Sequence, residues 1–394
     1  MKKAIIILLL QTVYIGISNA QVPGNDSAWI IQTSLSDEFN AAYVDSVSKW
    51  HKHYGNFIST NPDITLANGA ELNFSRNLIM TGNTLKIKAD TLSPNITVTD
   101  TNKLVYGYSV PIGGGIRGPL TFAYQGGVIM SQSTNYKFGY LEIYAKFPSK
   151  KFSLWPAFWI QGSSCGTSHY VNEIDIAECS ALNTYKGNHM GNNFYVTANH
   201  CNYDSIEYSQ YAYPPELSDI VLPVDSLSGG FHKFALSWEP HSFTYLFDDI
   251  PTWTVSDVSG QSVPQNGLHV FLNFCVQAGT ALLPSNWVGV IADPPPCKVP
   301  TKWPQYFEID YFRYYKLGLE CNNTQVICTP SNYNRKVKKN ITVGGGACTP
   351  VYNPTTWNSS YTLRATDYVI LDEGTTINPS GTGYFAAITM ACPQ

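Results

Sequence analysis

The chain has 394 residues, a formal net charge of −4 at pH 7 and a charged fraction of only 13%. Proteins that bind nucleic acid neutralise phosphates with clustered lysine and arginine. The one basic cluster, formed by Arg335, Lys336, Lys338 and Lys339, is short and is interpreted as a solvated loop. Charge and composition therefore argue against nucleic acid as a partner.

The N-terminus has the features of a secretory signal peptide. Lys2 and Lys3 precede an apolar run from residue 4 to residue 10 that extends toward Ile17, and Ala20 stands just before Gln21. The run is too short to span a membrane, and no later stretch offers about eighteen consecutive apolar residues. We expect residues 1–20 to be removed on export. The mature protein is then predicted to be secreted or held at the cell surface, with no transmembrane segment.

The composition is typical of a β-rich chain, with 44% hydrophobic residues, 30 glycines and 24 prolines. Short apolar or alternating segments between turn residues predict an all-β antiparallel sandwich with little helix. These segments span residues 84–89, 127–131, 140–147, 155–161, 193–200, 233–238, 243–247, 270–277 and 307–315. The main domain is expected to cover residues 21–318. A small cysteine-containing β module, joined by a linker at residues 320–324, is expected to cover residues 319–394.

The most informative segment is Asn172-Glu173-Ile174-Asp175-Ile176-Ala177-Glu178, which places three carboxylates in an apolar, β-prone run. On a regular strand, Glu173 and Asp175 share a face, and Glu178 points to the other face. A single β-bulge at Ile176-Ala177 would bring all three onto one surface, and bulges are common beside active sites. The pattern therefore predicts a groove lined by three acids.

Such a groove suits the hydrolysis of a glycosidic bond. Two carboxyl groups about 5–5.5 Å apart allow one to attack the anomeric carbon while the other protonates the leaving oxygen. We assign Glu173 as the nucleophile and Glu178 as the acid/base. Asp175 lies between them as a like charge, which raises the proton affinity of a neighbour. The alternative interpretation is a solvated strand edge, which the bare Glu-x-Asp-x-x-Glu pattern also fits.

Residues outside the acidic segment favour the groove. Trp155 and Trp159 offer planar rings on which sugar rings stack, although paired tryptophans more often belong to a core. Asn273 lies in an apolar strand, where an amide is costly unless it has a partner. A sugar hydroxyl is a suitable partner for it.

Seven motifs follow one another along the chain: residues 36–40 with Lys49-Trp50, residues 138–146, residues 155–159, residues 173–178, residues 232–238 with Asp248-Asp249, Leu272-Asn273, and residues 309–315. In these motifs and their order, the chain resembles glycoside hydrolase family 16, which includes laminarinases, lichenases, agarases and carrageenases. The resemblance covers most of residues 25–317, and the acidic segment is similar to that of the bulged branch of the family.

The resemblance implies a curved jelly roll and hydrolysis of a β-linked polysaccharide with retention, with the roles given above for the three acids. It places His200 where a histidine lines the groove, and His189 competes for that role. It implies no cofactor for catalysis and one structural calcium on the convex face, with Asp310 as a ligand. Residues 127–130 are uncharged, whereas glucan-cleaving members tend to carry a polar group there. The substrate therefore stays open between a β-1,3-glucan and a marine galactan.

Nine cysteines in an exported chain suggest disulfides, and an odd number leaves at least one outside them. The sequence is compatible with Cys165–Cys201 and with Cys179–Cys201. The C-terminal module resembles small β modules of exported bacterial enzymes. Its role stays open between sorting by secretion machinery, surface attachment and carbohydrate binding.

Two other functions compete with the enzyme. One is a non-catalytic carbohydrate-binding or recognition protein on the same scaffold, and the other is a structural surface protein. A binder has no need of two glutamates around one bond, so the acidic segment favours a hydrolase.

Overall fold

The fold is described from a computed structural model, over the following ranges: 29–52, 64–66, 71–98, 120–148, 154–162, 172–178, 184–185, 188–189, 196–201, 226–239, 242–256, 263–276, 302–327, 337–344, 351–352, 361–371, 376–377 and 385–389. The predicted signal peptide, Cys165 and Cys179 lie outside these residues.

Strands make up nearly all of the regular structure in these ranges. They are β1 (Trp29–Ile31), β2 (Trp50–His51), β3 (Ile64–Leu66), β4 (Glu71–Phe74), β5 (Leu78–Met80), β6 (Leu85–Val98), β7 (Leu120–Ser131), β8 (Gly139–Lys146), β9 (Leu154–Gly162), β10 (Asn172–Glu178), β11 (Thr184–Tyr185), β12 (Asn188–His189), β13 (Val196–Cys201), β14 (His232–Glu239), β15 (Ser242–Phe247), β16 (Ile250–Ser256), β17 (His269–Val276), β18 (Gln305–Leu317), β19 (Leu319–Ile327), β20 (Val337–Val343), β21 (Val351–Tyr352), β22 (Tyr361–Leu371), β23 (Thr376–Ile377) and β24 (Phe385–Thr389).

Helix is minor, as the composition predicted. The described residues contain one short α-helix, α1 (Ser226–Gly229), and two 3₁₀ turns, Thr33–Leu35 and Ser75–Asn77. None of the helices in these ranges has the length and apolarity needed to cross a bilayer.

The strands of the large domain form a curled, largely antiparallel sheet with two layers. The first layer has the order β13-β10-β9-β17-β7, and the second has the order β6-β18-β8-β14-β15-β16. The long strands β6 and β7 join the layers. In β6, residues 85–89 pair with β18 of the second layer, and residues 90–98 pair with β7. In β7, residues 127–130 pair with β17 of the first layer, and residues 120–125 pair with β6. This curled two-layer sheet is the jelly roll that the sequence predicted.

One apolar core fills the space between the two layers. Phe158, Ile174 and Leu272 enter it from the first layer, and Phe234 and Phe312 enter it from the second. Burial of a side chain of this size contributes about 1.5–3 kcal/mol relative to exposure. Because successive residues of a strand face opposite ways, the neighbours of these residues in the first layer lie on its other face. That face carries the candidate site.

The N-terminal motif packs onto the C-terminal strand of the same domain. Arg313 of β18 donates from Nε and Nη2 to the two carboxylate oxygens of Glu38, at 2.8 and 2.7 Å. Trp50 is buried, donates its indole N–H to Asp37 Oδ2 at 2.8 Å, and packs against Phe312. Two motifs that are distant in sequence are therefore in contact within this domain.

The C-terminal residues form a separate sheet of different construction. Strands β19, β20, β22 and β24 pair in parallel along the sheet, and β21 pairs with β23 in parallel. A small core of Ile327, Ile341, Val343, Leu363 and Ala365 lies against this sheet. This confirms a small second β sheet, whereas the domain boundary stays a prediction.

The linker predicted at residues 320–324 is wrong. These residues belong to β19, which pairs with β20 on either side of a register shift between Glu320 and Thr324. The shift accommodates the polar residues Asn322 and Asn323, which are exposed. Polar composition alone was therefore a misleading sign of a linker.

Candidate active site

A β-bulge interrupts β10 in the middle of the acidic segment. Against β9, Asp175 pairs with Trp159 and Ala177 pairs with Phe158, so Ile176 is the extra residue. The register against β13 shifts between Asp175 and Glu178 as well. The bulge predicted at Ile176-Ala177 is confirmed.

The bulge places all three acids on one face of the first layer. In order along β10, the acids lie opposite Gln161, Trp159 and Ala157, which are alternate residues of β9. Directly opposed residues of neighbouring strands share a face, so the acids share one as well. The remaining side chains of the segment enter the core: Ile174, Ile176 and Ala177.

Asp175 is the buried member of the trio. Its exposed fraction is 3%, whereas Glu173 and Glu178 are partly exposed. Burial disfavours the charged form and raises the pKa of Asp175 to about 8. The role predicted for Asp175, that of a like charge that tunes the two glutamates, stays a prediction.

Glu178 accepts a hydrogen bond from Trp155, one of the two tryptophans predicted to line the groove. The indole Nε1 of Trp155 donates a hydrogen bond to Glu178 Oε1 at 2.7 Å. An indole N–H is a donor only, so this oxygen must act as the acceptor. Trp155 thus contacts an acid directly, a role that sequence analysis missed.

Trp159 and Asn273 are brought together on the same face. The indole Nε1 of Trp159 donates to Asn273 Oδ1 at 2.6 Å, and its ring stacks on Phe271 with 4.2 Å between ring centroids. The amide of Asn273 donates to Cys275 Sγ at 3.0 Å, so Asn273 has protein partners through both amide groups. The half-buried Trp159 ring is the part of this cluster that a sugar could contact. Cys275 is a thiol and not part of a disulfide, and the predicted disulfides stay a prediction.

His269 also lies on this face and was missed from the sequence. It pairs with Gln161, which is opposite Glu173 on the other side. His269 Nδ1 is 2.8 Å from the carbonyl oxygen of Ser131. A carbonyl oxygen only accepts, so Nδ1 of His269 donates this hydrogen bond. His269 and Asn273 are four residues apart on β17 and therefore share a face. This spacing could have indicated His269 from the sequence.

The two predicted histidines are described only by their backbones. His200 of β13 pairs with Glu173, which agrees with a position at the groove. His189 belongs to β12, which pairs with β11 in a separate two-stranded sheet. The side chains of both lie outside the described residues, so their roles stay predictions.

Asp310 lies in the second layer, at a bulge of β18 between Ile309 and Tyr311. Burial raises its pKa, and Glu38 adds to the rise while Arg313 opposes it. Arg313 already pairs with Glu38, so a cation is present at this place. Among the described residues, no group of three or more acidic, histidine or cysteine side chains is suited to a metal ion. These residues do not form a calcium site by themselves, and the ion stays a prediction.

Comparison with known proteins gives a family and a fold. The sequence profile of the glycosyl hydrolases family 16 matches residues 68–289, which is more than half of the chain. One similar structure comes from work on prominent members of the human gut microbiota, which express endo-acting O-glycanases to initiate mucin breakdown. It is 19% identical to this chain and has a TM-score of 0.52, and the match covers 75% of this chain and 93% of that chain. A kappa-carrageenase from Zobellia galactanivorans is 15% identical and has a TM-score of 0.51, with coverage of 76% and 98%. No curated protein sequence matches this chain.

Proposed function

We propose that this chain, which belongs to the glycosyl hydrolases family 16, is an endo-acting β-glycanase that cleaves a β-linked polysaccharide with retention of configuration. Membership of the family makes the chain a glycoside hydrolase. The observation that carries the more specific proposal is the bulge of β10, because it aligns Glu173, Asp175 and Glu178 on one face.

In the proposed reaction, Glu173 attacks the anomeric carbon and forms a covalent glycosyl-enzyme. Glu178 gives its proton to the departing oxygen, and the bond between that oxygen and the anomeric carbon breaks. Glu178 then takes a proton from water, which attacks the same carbon and releases the sugar from Glu173. Because Trp155 holds Glu178 Oε1, the transferred proton is assigned to Oε2.

Asp175 supports this proton transfer through its own protonation. A neutral Asp175 offers an O–H donor beside the glutamates and adds no negative charge to them at pH 7. A third charge on this half-buried face would oppose the ionisation of Glu173, which must be a carboxylate to attack. Burial of Asp175 thus favours the ionised nucleophile.

The residues of this face support a neutral sugar at the reacting position. The face continues onto β7 through Val128 and Met130, which are apolar and buried. Among the described residues that pair across this face from β7 to β10, none is a lysine or an arginine. Among these described residues, a sulfate ester would have no cation to balance its charge. A β-1,3-glucan or an unsulfated stretch of a marine galactan fits better.

The second candidate function is a non-catalytic glycan-binding protein. The pairing of Trp159 with Phe271 and Asn273 would serve a binder equally well. The hydrogen bond from Trp155 to Glu178 favours the enzyme, because binding alone gives no reason to orient an acid.

A reducing-sugar assay separates these functions. The panel is laminarin, mixed-linkage glucan, agar, kappa-carrageenan, porphyran and mucin, tested with the wild-type chain and with Glu173→Gln and Glu178→Gln. Cleavage by the wild type, its loss in both variants and retained binding in affinity electrophoresis are expected. Binding without cleavage by the wild type would establish the second candidate instead.

Export is part of the proposal. Residues 1–20 are proposed as a cleaved signal peptide, and the C-terminal parallel sheet as the contact with the cell surface or the secretion machinery. Mass spectrometry of the protein from culture medium, with a mature N-terminus at Gln21, tests the first point. Retention of the enzyme on cells only when residues 319–394 are present tests the second.

A further inference from the structure

Gln161 lies beside the proposed nucleophile and has no role in the reaction described so far. It is opposite Glu173 across the pairing of β9 with β10, and its exposed fraction is 4%. Its amide Nε2 donates to Glu173 Oε2 at 2.6 Å. A donor this close to an ionised carboxylate forms a charge-assisted hydrogen bond, which is stronger than a neutral one.

The orientation of this amide is set by Glu173. If the amide were turned over, its oxygen would face a carboxylate oxygen, and two acceptors repel. In the observed orientation, Gln161 Oε1 is buried and has no hydrogen-bond partner among the described residues. An unmatched buried acceptor opposes folding. A side chain retained only for packing would be better replaced by an apolar one of similar size.

We propose that Gln161 is a positioning residue that fixes Glu173 through Oε2 and thereby directs Oε1 of the carboxylate toward the anomeric carbon. This inference rests on the proposed function, because it presupposes Glu173 as the nucleophile. A glutamate side chain has three rotatable bonds, and restricting them before the substrate binds lowers the barrier to attack. The unmatched Gln161 Oε1 is the stability cost of this arrangement.

The proposal predicts two linked effects of Gln161→Met, which keeps the volume and removes both polar groups. The kcat falls about tenfold or more, with little change in KM, because orientation in the transition state is lost and substrate contacts are kept. The pKa of Glu173 rises by about one unit or more, since a donor to its charged form is removed. The Tm stays equal to or above that of the wild type.

The test combines kinetics on the best polysaccharide of the panel with a titration that needs no turnover. The full chain is labelled with [5-¹³C]glutamate, and the Glu173 carboxyl signal is identified by its absence in Glu173→Gln. Gln305→Met is the matched control, because Gln305 lies on β18 in the other layer. Gln161→Glu is the second variant, and it serves alone if Gln161→Met does not fold. The introduced carboxyl group donates to Glu173 only while it is protonated. The activity of the Gln161→Glu variant should therefore be retained at low pH and lost as pH rises.

The outcomes separate the inference from the proposed function. A raised Glu173 pKa with reduced kcat in Gln161→Met supports the inference, as does the pH-dependent rescue in Gln161→Glu. An unchanged titration overturns it, whether kcat falls or not, because the hydrogen bond then does not stabilise the ionised nucleophile. If the wild type cleaves no polysaccharide, the proposed function fails, while a raised pKa in the variant still confirms the contact with Glu173.

Discussion

Asp175→Asn is expected to make the stability of the protein less dependent on pH. Burial raises the pKa of Asp175 to about 8 in the folded chain, whereas an unfolded aspartate titrates near pH 3.9. Between these values the native carboxyl keeps its proton and the unfolded carboxyl loses it. The native state then binds more protons, so the stability of the wild type falls as pH rises. Above about pH 8 both forms are ionised, and this dependence ends.

The size of the effect follows from the two pKa values. Each pH unit in this interval changes the free energy of unfolding by about 1.4 kcal/mol per proton. The wild type should therefore lose about 3 kcal/mol between pH 5 and pH 7 from Asp175 alone. Asparagine has the same shape and does not titrate. Relative to that of the wild type, the free energy of unfolding of Asp175→Asn should rise by about 3 kcal/mol between pH 5 and pH 7.

The assay is urea unfolding followed by tryptophan fluorescence at pH 5, 6 and 7. Trp357 is the only tryptophan after residue 319, so the signal reports mainly the jelly-roll domain. Asp45→Asn is the control, because hydrogen bonds from Ser48 lower the pKa of Asp45 and leave it ionised in both states from pH 5 to 7. Its difference from the wild type should not vary with pH. A similarly constant difference for Asp175→Asn would refute the buried, protonated state of Asp175.

Three further substitutions test contacts of the site and of the fold. Trp155→Phe keeps an aromatic ring but removes the indole N–H that donates to Glu178. The kcat should therefore fall about tenfold to a hundredfold with little change in KM. A kcat equal to that of the wild type would show that this contact does not support catalysis. Asn273→Ala leaves the Trp159 indole without its acceptor and should destabilise the domain by about 1–3 kcal/mol in urea unfolding, and an unchanged midpoint would count against this contact. A Cβ at Gly267 would lie 1.8 Å from the carbonyl oxygen of Thr134, whereas one at Gly229 meets nothing within 4 Å. Gly267→Ala should therefore lower the free energy of unfolding by about 1–3 kcal/mol or more, and a Tm equal to that of Gly229→Ala would contradict the close approach.

The position of the acids was predictable because it depends only on parity along one strand. Glu173 and Asp175 share a face in any regular strand, so one bulge was enough to add Glu178. The jelly roll followed from alternation and turns in the same way. Both inferences use local geometry, which a sequence carries directly.

The contacts of the acids were not predictable, because they depend on which strands pair and in which register. Trp155 meets Glu178, and Gln161 meets Glu173, only because β9 runs antiparallel to β10 with one set of partners. Burial of Asp175 likewise depends on what packs around the bulge. The polar run at residues 320–324 was misassigned for a related reason, since parallel pairing with a distant strand keeps it extended.

The most direct test of the central claim is the configuration of the first product. ¹H NMR of the wild type acting on the polysaccharide that it cleaves best shows the new anomeric signal before mutarotation. A covalent intermediate on Glu173 with Glu178 as acid/base predicts that the β-anomer forms first. Initial release of the α-anomer would show single-step inversion and contradict the roles assigned to both glutamates.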